Sequence, residues 1–157
     1  MNNELQEIKE LFEQIDQRIK QLEEKCKEDV EWPKNGDRYW CINKRGKVET
    51  YIYRNDESDT QMFEFGNIFR TEEEALFEIE RLKVLRELEK MGRPFEPGKS
   101  NYLIHFDHFK RELKASGYSQ RQDAYGDFYF KTAVRARQVI EEIGEDRIKK
   151  YLFRVGD

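Results

Sequence analysis

Residues 66–79 read GNIFRTEEEALFEI, and residues 126–140 read GDFYFKTAVRARQVI. With one residue inserted in the second stretch, four positions agree in type and order: Gly66 with Gly126, Thr71 with Thr132, Ala75 with Ala136, and Ile79 with Ile140. A weaker similarity continues upstream, where Pro33, Gly36, Tyr39 and Ile42 resemble Pro97, Gly98, Tyr102 and Ile104. Repeated residues in a fixed order are the signature of a duplicated structural unit. The sequence therefore predicts two diverged copies of one unit, at 32–92 and 93–157.

The repeated residues predict how a helix begins in each copy. Thr71 and Thr132 are expected N-caps, because a threonine hydroxyl accepts a hydrogen bond from an N–H of the first helical turn. Thr71 and Glu74 also have the spacing of a capping box. The small Ala75 and Ala136 would let each helix lie close to a sheet. The apolar face of the first helix is predicted to contain Leu76, Ile79, Leu82, Val84 and Leu85, and that of the second Val139, Ile140 and Ile143. Gly144 is expected to end the second helix, and 146–153 to form a last short one.

A three-stranded meander is predicted before each helix. In the first copy, strands at 38–43 and 47–54 flank a turn at 44–46, and an acidic loop at 55–60 leads to a third strand ending at Arg70. In the second copy, strands are predicted at 102–106, near 113–121 and at 126–131. The middle segment leaves an alternative, because Phe106, Phe109 and Leu113 also have the spacing of a short helix.

The N-terminal segment carries a heptad pattern that no proline or glycine interrupts before Pro33. Apolar residues that alternate at spacings of three and four form the seam of a coiled coil. Positions a are Leu5, Phe12, Ile19 and Cys26, and positions d are Ile8, Ile15 and Leu22. The fold class predicted for the chain is therefore α+β: an N-terminal coiled-coil helix at 1–31 followed by two diverged β-meander-plus-helix units.

Charges beside the seam favour a parallel homodimer. In a parallel pair, Glu4 would face Lys9 of the second copy and Arg18 would face Glu23 of the second copy, and both contacts are attractive. Exposed pairs of this kind contribute less than about 1 kcal/mol each, so they set orientation more than strength. The alternative is that the helix folds back on its own chain.

No catalytic, cofactor or metal site is predicted. Cys26 and Cys41 have no histidine near them in sequence, and there is no phosphate-binding glycine loop. His105 and His108 flank Asp107, but on a strand the two imidazoles would point to opposite faces. No apolar run approaches the roughly 20 residues that span a bilayer, and no signal peptide is visible. We expect a cytoplasmic, non-enzymatic protein.

Two charged regions are candidates for binding. The acidic candidates for a partner surface are Asp56, Glu57, Asp59, Glu72 and Glu73. The chain from residue 93 onward is instead richer in basic residues, which alternate with aromatic rings as in proteins that bind single-stranded nucleic acid. The candidates for that alternative are Lys110, Arg111, Lys114, Tyr118 and Arg121. For both regions the ordinary explanation is a solvated outer face, with the rings of the second copy building its core.

Two stretches resemble a family of small accessory proteins from phages and prophages of Gram-positive bacteria. They are GDRYWCI at 36–42 followed by GNIFRTEEEA at 66–75, and the ending GEDRIKKYL at 144–152 is also similar. The resemblance implies a viral or prophage origin, action in the host cytoplasm and a non-enzymatic role. The function expected from it is binding of a host protein that processes nucleic acid or serves in defence, most concretely inhibition of a defence nuclease in the manner of an anti-CRISPR. The alternative is a nucleic-acid-binding module built on the second copy.

Overall fold

A computed structural model describes residues 2–30, 32–118 and 128–155, with side chains throughout except at 2–5, 7, 23–30 and 118. In these ranges five helices and four strands follow one another: α1 (Asn2–Val30), β1 (Arg38–Ile42), β2 (Val48–Ile52), α2 (Glu57–Glu64), α3 (Glu72–Met91), β3 (Asn101–Asp107), β4 (Glu112–Tyr118), α4 (Ala133–Ile143) and α5 (Glu145–Tyr151). This mixture of helices and small sheets confirms the α+β class. No helix in the described ranges is both long and apolar enough to cross a membrane.

Contacts divide the chain into two compact units. Unit 1 comprises Met1–Cys41 and Glu49–Arg70, and unit 2 comprises Ile42–Val48 and Thr71–Asp157. These boundaries differ from the predicted ones after residues 31 and 92. Helix α3, which the duplication assigns to the first copy, belongs to unit 2, because its apolar side chains pack with those of α4 and α5.

Unit 1 contains α1, most of β1 and β2, the short helix α2 and a two-residue bridge. Strands β1 and β2 form a two-stranded sheet, which confirms the predicted hairpin. Trp40 of β1 forms an isolated antiparallel bridge with Phe69, through N–O distances of 3.0 and 2.8 Å. The predicted third strand, ending at Arg70, is therefore wrong. Helix α2 occupies 57–64, and Phe69 contributes an isolated bridge to β1 instead of a full strand.

Helix α2 replaces the predicted acidic loop. The Asp56 side chain accepts a hydrogen bond from the Asp59 N–H at 2.9 Å and so caps the helix. Glu57 and Asp59 follow in the first turn, where the positive end of the helix dipole favours acidic side chains. The acidic residues for which a loop was predicted instead form the N-cap and first turn of α2.

Unit 2 is built on the hairpin of β3 and β4. Its antiparallel register pairs Asn101 with Tyr118 and Asp107 with Glu112. The predicted strands at 102–106 and near 113–121 are thus confirmed as far as residue 118, and the alternative short helix is wrong. Gly117 lies opposite Tyr102, where an added Cβ would approach the tyrosine ring to 3.1 Å. The absence of a side chain at Gly117 makes room for that ring.

The predicted strand at 126–131 is only partly covered by the described residues. Tyr129 bridges Arg93, and Phe130 bridges Tyr102, each as an isolated antiparallel pair. Residues 126 and 127 lie outside the described part. In the described residues, a three-stranded meander is therefore absent from both units.

The helices of unit 2 begin where the repeated threonines predict. Thr71 accepts from the Glu74 N–H and Thr132 from the Arg135 N–H, both at 3.1 Å, which confirms the two N-caps. Ala75 and Ala136 are fully buried. Gly144 ends α4 with a φ of 98°, a conformation in which glycine is strongly favoured.

The aliphatic core of unit 2 lies between its helices and its hairpin. Of the apolar face predicted for α3, Val84 is buried, but Leu76 and Leu82 are about half exposed. The buried members of this core are Val84, Leu88, Phe130, Ala136, Val139, Ile140, Ile143 and Ile148. Ile148 of α5 belongs to it, so the last short helix, which the sequence predicts at 146–153, packs into this core.

Candidate interaction surfaces

The apolar seam of α1 is exposed along its whole described length. Side chains at Ile8, Phe12, Ile15, Ile19 and Leu22 are between 47% and 65% exposed. The remaining seam residues, Leu5 and Cys26, lie outside the described side chains. Contiguous exposed apolar surface of this kind is typical of sites that contact another protein, a membrane or a ligand. Pairing with a second copy stays a prediction.

The predicted acidic residues differ in exposure and in the unit to which they belong. Asp56 and Glu57 are exposed at the start of α2 in unit 1, and Glu72 and Glu73 are exposed at the start of α3 in unit 2. Asp59 is only 6% exposed, so its assignment to an acidic surface is wrong. A buried carboxylate requires hydrogen-bond donors, and Asp59 has them.

Asp59 is the polar centre of unit 1. Its Oδ1 accepts from the Tyr39 hydroxyl at 2.7 Å, and its Oδ2 accepts from the Arg54 N–H at 2.6 Å. Burial, together with the hydrogen bond to Asp59, raises the pKa of Tyr39 above its usual range. Tyr39 packs with Cys41 and Tyr53, so the aromatic core and the buried carboxylate form one cluster. The cluster stabilises the fold of unit 1 and offers no reactive group to solvent.

Glu72 and Glu73 line an open groove of about 690 Å³ in unit 2. The groove is also lined by apolar Leu76, Phe77 and Tyr151, and the Phe77 and Tyr151 ring centroids lie 5.1 Å apart. Its other charged residues are Lys47, Glu80, Lys83 and Lys150. Of these, Lys83 is paired with Glu80 at 2.5 Å. The groove combines an apolar wall with acidic side chains at the first turn of α3.

The predicted nucleic-acid site is only partly assembled. Lys110 and Arg111 are exposed in the turn between β3 and β4. Lys114 is held by Asp107 at 2.5 Å and contacts Glu112 at 3.4 Å. The Tyr118 side chain and the whole of Arg121 lie outside the described part. The structure therefore brings Lys110 and Arg111 together, and it places Lys114 in an ion-paired cluster on the hairpin.

Asp107 organises the turn between β3 and β4. Its Oδ1 accepts from the N–H groups of Phe109 and Lys110, each at 3.0 Å. The hydrogen bond from Lys114, joined by those from the backbone, lowers the pKa of Asp107 to about 2. The same interaction raises the pKa of Lys114. Asp107 is thus a structural anion at neutral pH.

The histidines and Cys41 have separate surroundings. His105 lies within β3 and His108 in the following turn, and no group of three or more metal-ligating side chains occurs among the described residues. Cys41 is buried in unit 1, and burial raises the pKa of its thiol. A raised pKa leaves little thiolate, which is the nucleophilic form.

Sequence reasoning missed the importance of one residue at the same turn. Phe109 is 96% exposed, although in the sequence it is one of several aromatic residues in the second copy. The signal lies in FDHFKRE at 106–112, where an aspartate two residues before a phenylalanine can fix a tight turn. Once β3 and β4 are known to flank it, Phe109 must lie at the tip.

No family model matches the chain, and no curated protein or solved structure matches it either.

Proposed function

We propose that this protein is a non-enzymatic accessory protein of a phage or prophage that binds a host protein as a parallel homodimer. The most concrete form of the proposal is stoichiometric inhibition of a bacterial defence nuclease, as an anti-CRISPR does. The observation that carries it is the exposed seam of α1, since five apolar side chains about half in water need a partner surface.

A second copy is the occupant that the flanking charges favour. The seam alternates at spacings of three and four, which suits a two-stranded coiled coil. Lys9 and Arg18 are exposed beside it, where a parallel partner would present Glu4 and Glu23. Two joined copies would also give each target two binding sites, which raises the effective affinity without new contacts.

The acidic side chains support a host protein that is itself built to hold nucleic acid. Exposed carboxylates at Asp56, Glu57, Glu72 and Glu73 suit the basic surface of such a protein. In unit 2, the groove beside Glu72 and Glu73 also has the apolar wall that a partner's anchoring side chain requires. The proposed contact is therefore an apolar anchor flanked by lysine or arginine on the host protein.

Self-association is tested by the mass of the particle in solution. Sedimentation equilibrium of the wild type should give a dimer, and Ile15→Asp should give a monomer because it places a charge in the seam. Glu13→Lys is the matched control, since it changes charge on α1 outside the seam and should leave the dimer intact. A monomeric wild type at every accessible concentration would overturn the dimer.

The orientation is tested through Cys26. In a parallel pair the two Cys26 residues meet at an a position, within the Cα–Cα range of roughly 4.4–6.8 Å that a disulfide needs. Mild oxidation should then give a covalent dimer that Cys26→Ser abolishes, while the buried Cys41 should not cross-link. A dimer by mass that fails to cross-link would indicate the antiparallel or another arrangement.

The host target is tested by capture from a Gram-positive lysate, with and without added nuclease. Proteins retained after nuclease treatment should be lost when Asp56, Glu57, Glu72 and Glu73 are all replaced by lysine. The control replaces Glu64 and Glu141, exposed acids elsewhere, in the same way. Inhibition of RNA-guided DNA cleavage by the captured nuclease should then saturate at a fixed molar ratio. Capture that depends entirely on nucleic acid would contradict the proposal.

A further inference from the structure

The hairpin of β3 and β4 ends in four exposed residues, 108–111, which we call the aromatic tip. They are His108, Phe109, Lys110 and Arg111. Phe109 is 96% exposed, more than any other large apolar side chain among those described. A phenylalanine kept in water forgoes the favourable free energy of burying its ring. A partner that covers the ring would recover part of that free energy.

The aromatic tip is presented by a well-defined turn. Asp107 accepts hydrogen bonds from the backbone N–H groups of Phe109 and Lys110, and its other oxygen accepts from Lys114. Arg111 has a φ of 54°, the left-handed conformation that lets the chain turn back into β4. Because the backbone is held on both sides, less conformational entropy is lost when a ligand meets the ring.

Two basic residues adjoin the ring in sequence. Lys110 and Arg111 follow Phe109 directly and are both exposed. The acidic residues nearest in sequence, Asp107 and Glu112, both contact Lys114, which balances part of their charge. An aromatic face next to two cations fits a ligand that carries a flat ring beside negative groups.

We propose that the aromatic tip binds single-stranded nucleic acid, with one base stacked on Phe109 and the adjoining phosphates held by Lys110 and Arg111. Stacking on an exposed ring needs a base whose face is free, which a single strand offers and a duplex does not. A membrane is the less suitable partner, because one apolar side chain gives little insertion energy. The proposal is independent of the proposed dimer and host target, and it replaces Lys114 in the predicted site by Phe109.

The test uses a fluorescein-labelled 20-nucleotide thymidine strand and the full-length chain at 50 mM salt. Phe109→Ala should weaken binding by about tenfold, within the range measured for loss of one stacked base. The matched control is Phe65→Ala, because Phe65 is also highly exposed, at 88%, but follows Glu64 and precedes Gly66. Unchanged circular dichroism of both variants would show that each remains folded.

The charge contribution is tested by salt dependence. Replacing Lys110 and Arg111 by alanine should reduce the slope of log affinity against log salt by about 1.4, since each phosphate contact on a single strand contributes about 0.7. The matched control replaces Lys44 and Arg45, which form an equally basic and exposed turn between β1 and β2 and are flanked in sequence by Asn43 and Gly46 instead of an aromatic residue. That control should leave most of the affinity and the slope unchanged.

Four outcomes with oligonucleotides would overturn the proposal. They are no binding at 50 mM salt, equal binding by the wild type and Phe109→Ala, equal loss in the Lys44 and Arg45 control, and tighter binding to a duplex of the same sequence. Vesicles containing phosphatidylserine are the remaining arm. If they bind through Phe109 more tightly than the oligonucleotide does, the tip is a membrane contact and the proposal is wrong.

Discussion

The segments around the two hairpins are alike in backbone and different in what they bury. In each, the first strand of a hairpin bridges an aromatic residue two positions before a threonine N-cap: Trp40 with Phe69 before Thr71, and Tyr102 with Phe130 before Thr132. Unit 1 closes around tyrosines and a buried carboxylate, whereas unit 2 closes mostly around aliphatic side chains together with the Phe130 ring. The comparison teaches that a conserved local order can support two cores of different chemistry. Duplication of one ancestral unit remains the proposal that this likeness supports.

The largest expected effect comes from the aliphatic core. Leu88 is 2% exposed in the middle of it, so Leu88→Ala should lower the free energy of unfolding by about 3 kcal/mol through lost burial and a new cavity. Urea denaturation at fixed protein concentration measures this change. Leu82→Ala on the same helix is the control, because Leu82 is 47% exposed and should lose less than about 1 kcal/mol. If both variants lost similar free energy of unfolding, Leu88 would not be buried more deeply in the core than Leu82.

The polar core of unit 1 should respond through hydrogen bonding. Asp59→Ala leaves the Tyr39 hydroxyl and the Arg54 N–H without their acceptor, and we expect a loss of about 2 kcal/mol. Glu64→Ala, at an exposed position of the same helix, should change stability by less than about 0.5 kcal/mol. The near-ultraviolet circular dichroism of the tyrosines should change only in Asp59→Ala. If Asp59→Ala left the free energy of unfolding unchanged, the buried carboxylate would not stabilise unit 1, and the two cores would not differ in this respect.

The two threonine N-caps test whether the two segments are alike in energetics as well as in geometry. Thr71→Ala and Thr132→Ala should each destabilise by about 1 kcal/mol, because each removes one bond to an N–H of the first helical turn. Thr→Ser at either position retains the hydroxyl and should recover most of the loss. A marked difference between the two alanine variants would indicate that the caps are alike in geometry but not in energetic role.

The sequence was informative where one residue type has one dominant local role. The preference for threonine at a helix start, glycine at a helix end and alanine at a close contact predicted the roles of Thr71, Gly144 and Ala75. Asp59 was misplaced because its burial depends on Tyr39, twenty residues away in sequence. Such a partner is set by tertiary structure, which no local pattern contains.

The binding surfaces were predictable to a different degree. The heptad spacing predicted the apolar seam of α1, and its described side chains are exposed. The spacing alone does not specify which partner would cover them. At the β3–β4 turn the residues were recognised as basic and aromatic, while the exposure of Phe109 depended on choosing strands over a helix. Ion pairing of Lys114 with Asp107 across the hairpin was likewise a matter of register.

The smallest expected effect is a difference in pH dependence between two turns, the first between β1 and β2 and the second between β3 and β4. Asn43 holds the first turn by accepting from the N–H groups of Arg45 and Lys47 at 2.8 and 3.0 Å, and Asp107 holds the second in the same way. The pKa of Asp107 is about 2 in the folded chain, below its ordinary value of 3.8. A lowered carboxyl pKa stabilises the fold above the ordinary value, and this contribution is lost as the pH falls from 3.8 through 2.

We therefore expect the second turn to stay intact from pH 7 to pH 4 and to loosen only in stronger acid. The two donors to Asn43 in the first turn are the backbone N–H groups of Arg45 and Lys47, which do not titrate in this range, so these bonds should not follow that titration. Amide chemical shifts of Lys110 and Arg45 between pH 5 and pH 2 measure the two turns in one sample, and Asp107→Asn is the control that should flatten the Lys110 curve. If the Lys110 amide titrated near pH 4, Asp107 would not be ion-paired with Lys114, and the turn that presents Phe109 would be held by the backbone hydrogen bonds to Asp107 alone.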